Sequence, residues 1–281
     1  MDCFIGRIQG GLGNQLFIYS FLRAISLIHK TPFKLDLTTT KWTPSRKYGL
    51  CNFTIVENVA SIKEIDYLKE DIINEKHFYF SEEYLNYKKG YFQGYFQSEK
   101  YFRPFSDIIK SDIKLKDTIC SYEPEVINQL KQDEHSVLLG VRRGDYINNN
   151  LINFHGIIGN DYYNNAINLI SDKIGKINLY IMSDDVQWVK DNMKFDYPVT
   201  YLSKPYDVFH DGNAINNYDY EDLIVGSYSK NFIIPNSTFF WWMAWLSESN
   251  DKNVVAPNQW FINEKMFKQS YDIIPDGWYR I

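Results

Sequence analysis

Three times in this 281-residue chain an apolar run ends abruptly in polar residues that open a helix-forming stretch. Val137-Leu138-Leu139-Gly140-Val141 stops at Arg142 and Arg143. INLYIM (177–182) stops at Ser183, Asp184 and Asp185, and NFIIP (231–235) stops at Asn236, Ser237 and Thr238. Short, continuously apolar runs bounded by polar turns suit strands buried on both faces, and strands alternating with helices predict a parallel sheet with crossover helices. Ligands of open α/β sheets bind outside the carboxyl ends of the strands, so these three loops are expected to line one site.

The same alternation opens the chain. FIGRIQ (4–9) reads as a strand, GGLGN (10–14) as a tight loop, and 15–30 as a helix with Leu16, Tyr19, Leu22, Ala24, Ile25 and Ile28 on its apolar face. A strand at 32–37 follows. Residues 60–115 are irregular and rich in Lys, Glu, Tyr and Phe. Further helices are expected at 124–132, 161–174, 185–193, 220–229 and 237–249, with a last strand in 253–261. The pattern predicts two Rossmann-like halves, 1–125 and 126–281.

Composition removes several function classes. A net charge of −5 lacks the basic footprint of a nucleic-acid binder. Three separated cysteines, with no C-x-x-C, and five scattered histidines offer neither a disulfide framework nor a metal site, and they fit a reducing compartment. The first residues lack the basic start and apolar core of a signal peptide, and no run reaches the roughly 18 apolar residues of a membrane span. A cytoplasmic protein, at most peripheral to a membrane, is expected. The aromatic share of 17% suits stacking on sugar rings or aromatic-rich packing.

The loop residues carry the chemistry. A guanidinium is a permanently charged planar fork that matches phosphate oxygens, so Arg142 and Arg143 read as a phosphate clamp or as a salt-bridge cluster closing the strand. Asp145 can orient one of them or bind a ligand hydroxyl. Asp184 and Asp185 are adjacent rather than a D-x-D metal pair, and read as a helix cap or as acceptors for a base or ribose. Asn236, Ser237 and Thr238 stand at a helix N-terminus, a natural anion site and equally an ordinary cap. Asp219-Tyr220-Glu221 reads as solvated first-turn charge. Gly11-Leu12-Gly13 begins like a dinucleotide fingerprint, with Asp36 placed as a ribose-binding acid, but Leu16 stands where the third glycine belongs. That keeps a dinucleotide-dependent oxidoreductase as an alternative, beside a non-catalytic carbohydrate-binding protein. Asn14 and Gln15 read as hydrogen-bonders to sugar or phosphate.

Taken together, GGLGNQLFIY, GVRRGDYI, FHG-x-x-G-x-DYY (154–163), SDD-x-x-W, NSTFFWWMAWL and APNQWF occur in the order seen in α-1,2-fucosyltransferases, and the resemblance spans nearly the whole chain. It implies a GT-B-like α/β enzyme with two Rossmann-like domains facing a cleft. Such an enzyme moves L-fucose from GDP-fucose to the 2-hydroxyl of a terminal galactose, inverting the anomeric centre without a metal or other cofactor. The acceptor is expected to be a β-galactoside or lipid-linked oligosaccharide of a bacterial surface glycan such as O-antigen, and the location cytoplasmic or peripheral to the inner membrane. By resemblance, Arg143, assisted by Arg142, binds the β-phosphate and stabilises departing GDP. Ser237 and Thr238, with Asn236, complete the cradle. Asp184 or Asp185, beside Ser183, faces the guanine or ribose, and Gly13 and Asn14 reach the donor from the other half. Asp145 and His155 are the expected bases.

Two departures from the family pattern stand out. The family usually has histidine two residues before the first arginine, where this chain has Gly140. Its last motif usually reads N-S-T-F-S-W-W-G, where this chain has Phe240 and Met243.

Overall fold

A computed structural model of the chain describes residues 2–39, 47–143, 156, 158–202, 208–210, 213–215 and 218–281. They divide into two compact units, 1–118 with 268–275, and 119–267 with 276–281. The division falls ahead of the boundary expected at 125/126, and one late segment returns to the first unit. Asp272 ties it there by accepting the Phe80 N–H at 2.9 Å and pairing with Lys100.

In the first unit, strands β1 (Phe4–Arg7), β2 (Phe33–Asp36), β3 (Ile72–Asn74) and β4 (Gly90–Gln93) form a parallel sheet in the order β2-β1-β4-β3. Helix α1 (Leu12–His29) starts earlier than the periodicity predicts. Gly10, at φ 77°, turns the chain so sharply after β1 that the helix begins at the next residue but one. Its far end closes on Lys30, in the left-handed region, whose N–H caps Ser26 O. Helix α2 (Ile62–Leu68) opens with a capping box between Ser61 and Glu64, and α3 (Ser106–Asp112) follows the sheet. Strands β3 and β4 and helix α2 lie in the stretch that looked irregular. β3 has only three residues, Ile-Ile-Asn, and little burial, so it is too short to show a period.

Glu75, just past β3, accepts the N–H groups of Tyr95 and Phe96 at 2.6 and 2.9 Å. Burial pushes its pKa up to about 7, against the downward pull of those two bonds. A folded-state value above the unfolded one contributes stability that is present below about pH 4.5 and lost as pH rises through about 7. Glu75→Gln is therefore expected to be less stable than wild type near pH 5 and close to it at pH 8. The variant should remove about 1–3 kcal/mol of pH-dependent stability across that window, read from urea midpoints.

In the second unit, α4 (Pro124–Gln132) leads into β5 (Ser136–Val141), α5 (Asn160–Ile174), β6 (Asn178–Ser183), α6 (Val186–Asn192) and β7 (Val199–Tyr201). A short antiparallel hairpin, β8 (Val208–His210) and β9 (Asn213–Ile215), precedes α7 (Asp219–Ser227), β10 (Asn231–Ile233), α8 (Thr238–Leu246), β11 (Val254–Ala256), α9 (Glu264–Lys268) and β12 (Tyr279–Arg280). The main sheet is parallel, in the order β12-β11-β10-β5-β6-β7. The successors of β5 lie to one side of it and β10 to the other, so the strand order reverses between β5 and β10. That is where open α/β sheets place their ligands.

Candidate active site

All of β5 is buried, and its two faces do different work. Val137, Leu139 and Val141 pack with Tyr163, Ala166, Ile167 and Ile170 of α5 and with Leu179 and Ile181 of β6. Gly140 faces the other way. A Cβ added there would lie 2.4 Å from Cδ1 of Phe240, whose ring, 2% exposed, rests against the bare strand. The second departure from the family pattern has a similar partner, since a Cβ on Gly226 would lie 2.6 Å from Met243 Sδ. Both larger side chains on α8 occupy notches left by glycines on neighbouring elements.

The strand then delivers its arginines to one carboxylate. Asp184, just after β6 and 10% exposed, pairs through Oδ2 with Arg142 Nη1 at 3.1 Å. Its Oδ1 accepts the Arg143 N–H at 2.8 Å. The parallel register of Val141 with Ser183 brings these strand ends together. The Arg143 guanidinium lies over the Trp188 ring, Cζ 3.4 Å from its centroid, and its buried Nε has no hydrogen-bond partner among the described residues. One arginine is thus fixed by an ion pair, while the guanidinium of the other is held over a ring.

Asp185 is the N-cap of α6, accepting the Trp188 N–H at 3.1 Å, and Ser183 Oγ accepts the Asp185 N–H at 3.0 Å. Both aspartates are therefore engaged within the protein. The nucleoside contact expected for one of them would fall to lone pairs these bonds leave over. Beyond β10, Asn236 donates to Trp260 O at 3.1 Å, deep in the unit. Ser237 is the N-cap of α8, with no side-chain cap bond, beside half-buried Thr238; helix N-termini attract anions. Gly144, Asp145 and His155 lie outside the described residues.

In the first unit, Gln15 is not a ligand group. It is fully buried, donating to Gly10 O and Lys47 O and accepting from Gly49 N, because the turn into α1 needs those backbone groups satisfied. Asn14, beside Gly13 in the first turn of α1, accepts from Gln97 Nε2 at 2.9 Å. Asp36, the expected ribose acid, is buried and accepts the Tyr91 hydroxyl at 2.5 Å. Glu221 is corrected as well. It is 1% exposed rather than solvated, and accepts from Cys120 N and Ser121 N at 3.1 and 2.7 Å. Burial, and then the charge of Asp222, push neighbouring Asp219 up to about 7. Trp188 has no role assigned by the SDD-x-x-W motif, and Gln97 lies in KKGYFQGYFQSEKYF (88–102), a stretch expected to help shape the acceptor site, without being singled out there. An aromatic one turn into the helix behind an arginine pair was the available signal.

Among the described residues no group of three or more His, Cys, Asp or Glu side chains could hold a metal ion, and no helix is long and apolar enough to cross a membrane. The model for glycosyl transferase family 11 matches residues 3–281. An alpha-1,2-colitosyltransferase of Escherichia coli is 29% identical over 302 residues, covering 100% of this chain and 99% of that protein. The O-antigen biosynthesis glycosyltransferase WbnK of Escherichia coli is 28% identical, covering 94% and 97%. Among solved structures, fucosyltransferase NodZ from Bradyrhizobium matches with a TM-score of 0.50 at 13% identity, over 86% of this chain and 92% of that one. A mutant of Arabidopsis thaliana FUT1 in complex with GDP matches with a TM-score of 0.51 at 9% identity, over 90% and 70%. The fold is GT-B, with a parallel α/β sheet in each unit.

Proposed function

The chain belongs to glycosyl transferase family 11, and from that premise we propose that it is an inverting, metal-independent α-1,2-fucosyltransferase of surface-glycan synthesis. It takes L-fucose from GDP-fucose and places it on the 2-hydroxyl of a terminal galactose, in a β-galactoside or lipid-linked oligosaccharide. The observation that carries this reading is Arg143, mounted on a buried strand end, backed by Trp188, with a buried Nε that no described residue uses. The names of the relatives supply the glycan context: one is an O-antigen enzyme and the other transfers to a 2-linkage.

In this reaction the galactose 2-oxygen attacks the fucose anomeric carbon as the bond to the β-phosphate oxygen breaks. The electron pair leaves with GDP. Arg143, with Arg142 beside it, neutralises the charge growing on the β-phosphate, and the α8 N-terminus with Ser237 and Thr238 adds to that field. Asn14 and Gly13 are assigned to the donor from the first unit. The hydroxyl proton goes to Asp145 or His155, the two bases drawn from the sequence. Because guanidinium charge stands in for a Lewis acid, EDTA is expected to leave turnover unchanged to within about twofold and GDP binding by calorimetry unaltered. A loss restored by added Mg²⁺ or Mn²⁺ would overturn this part of the reading. We place the enzyme in the cytoplasm, soluble or at the periphery of the inner membrane.

A second donor is favoured by one observation, the 29% identity to an alpha-1,2-colitosyltransferase. GDP-colitose lacks the 3-hydroxyl of fucose and would meet the same phosphate clamp. Mass spectrometry of products from both donors with a panel of β-galactosides, and NMR of the linkage, decides between them. Transfer from neither, or a linkage other than 1,2, would contradict the proposal.

A further inference from the structure

The first unit carries a buried amide, that of Gln97, which the chemistry above does not use. Gln97 lies in the loop after β4, and Asn14 in the first turn of α1, just after β1. β1 and β4 are neighbours, with β2 on the outer side of one and β3 on the outer side of the other, so both loops stand at the carboxyl ends where such sheets bind ligands. Gln97 is 5% exposed. Its Nε2 donates to Asn14 Oδ1 at 2.9 Å, whereas its buried Oε1 accepts nothing among the described residues. Buried polar atoms without partners are rare in folded proteins and ask for an explanation.

The loop that presents Gln97 is built against its own preference. Phe96 holds φ at +51°, where side chains other than glycine are disfavoured. Three anchors hold it there. The Phe96 ring stacks on Phe21 at 3.9 Å, Glu75 grips the N–H groups of Tyr95 and Phe96, and Gly94 lets Glu75 approach so closely that a Cβ would lie 2.3 Å from the glutamate Cβ. Strain maintained by several independent contacts is characteristic of ligand-binding loops.

The chemistry of the open atom selects its ligand. A neutral amide oxygen needs a donor, which a sugar hydroxyl provides and a phosphate oxygen does not. We propose that Gln97 Oε1, with the amide oriented by Asn14, is a hydroxyl-binding subsite for the acceptor sugar. This rests on the reading of the chain as a transferase acting on galactosides.

The test compares Gln97→Ala and Gln97→Glu with wild type in steady-state kinetics, thermal melts, GDP calorimetry and saturation-transfer NMR with methyl β-D-galactoside. Gln97→Ala is expected to raise KM for the galactoside about tenfold and to abolish its NMR signal. The kcat and the melting temperature should stay near wild type, and the KM for GDP-fucose should move less than that for the galactoside, since Gln97 also bonds Asn14. Gln97→Glu, which keeps an acceptor oxygen but loses the donor that bonds Asn14 Oδ1, should bind the galactoside better than Gln97→Ala and less well than wild type. A rise in the GDP-fucose KM instead, equal effects of both variants with lowered melting temperatures, or wild-type protein that binds GDP but no galactoside would each overturn the subsite. Failure of wild type to bind GDP would refute the transferase reading alone, and the galactoside comparison would still decide the subsite.

Discussion

Arg143→Ala is expected to lower kcat/KM for GDP-fucose by about tenfold to a hundredfold while the protein stays folded. A charge-assisted hydrogen bond contributes about 1.5–3 kcal/mol, and each 1.4 kcal/mol is a factor of ten in rate. The loss should fall mainly on kcat, because the β-phosphate gains charge only as the glycosidic bond breaks. Arg143→Lys separates charge from geometry. Lysine keeps the charge but neither the planar fork nor the flat face that lies 3.4 Å over Trp188, so it should recover only part of the activity. Steady-state kinetics beside a thermal melt checks both variants, and unchanged turnover in folded Arg143→Ala would remove the role assigned to it. Asp184→Asn should act more mildly on chemistry, since it holds Arg142 and the Arg143 backbone without needing to touch the donor.

Gly140→His is expected to cost about 3–5 kcal/mol of stability and to lower the melting temperature by on the order of 10 °C. The new Cβ alone would stand 2.4 Å from a rigid, buried ring, and the imidazole would have to enter the packed interior between β5 and α8. The ring cannot swing away as a flexible chain could. By contrast, Met243 beside Gly226 can adjust, so Gly226→Ala should be the cheaper change. Combining Gly140→His with Phe240→Ser, the residue types the family pattern has at these positions, should recover most of the loss. A double-mutant cycle on thermal midpoints reads the coupling directly. Additive effects would show that the two positions are independent. With recovery, GDP affinity of the double variant would report whether an imidazole at 140 contacts nucleotide.

Much of the second unit was legible because its strands are short, continuously apolar and bounded by polar turns. Helix α4 at Pro124–Gln132 and strand β5 fell where proline, periodicity and the arginine pair placed them. The first unit was less so. β4 begins at a glycine amid alternating Tyr, Phe and Gln, and β3 is a partly exposed edge strand, so neither shows a period against its aromatic, lysine-rich surroundings. The candidate site divides in the same way. Arg142, Arg143, Ser237 and Thr238 could be named because they stand at element ends. Asp184, Asp185 and Gln15 could be named too, but not their partners.

The sequence by itself determined the alternating α/β class, the three polar loops at strand ends and the order of motifs that marks the family. Those are properties of neighbouring residues, and periodicity, capping and strand polarity are set within a few positions along the chain. Only the tertiary structure decided that Arg142 spends its charge on Asp184 while Arg143 lies over Trp188, that Glu221 is buried, and that 268–275 returns to the first unit. It also decided that Gly140 and Phe240, far apart in the chain, form one packing unit. The reason is steric: which side chains exclude one another, and which buried polar atoms find partners, depends on distances between residues that no local pattern encodes.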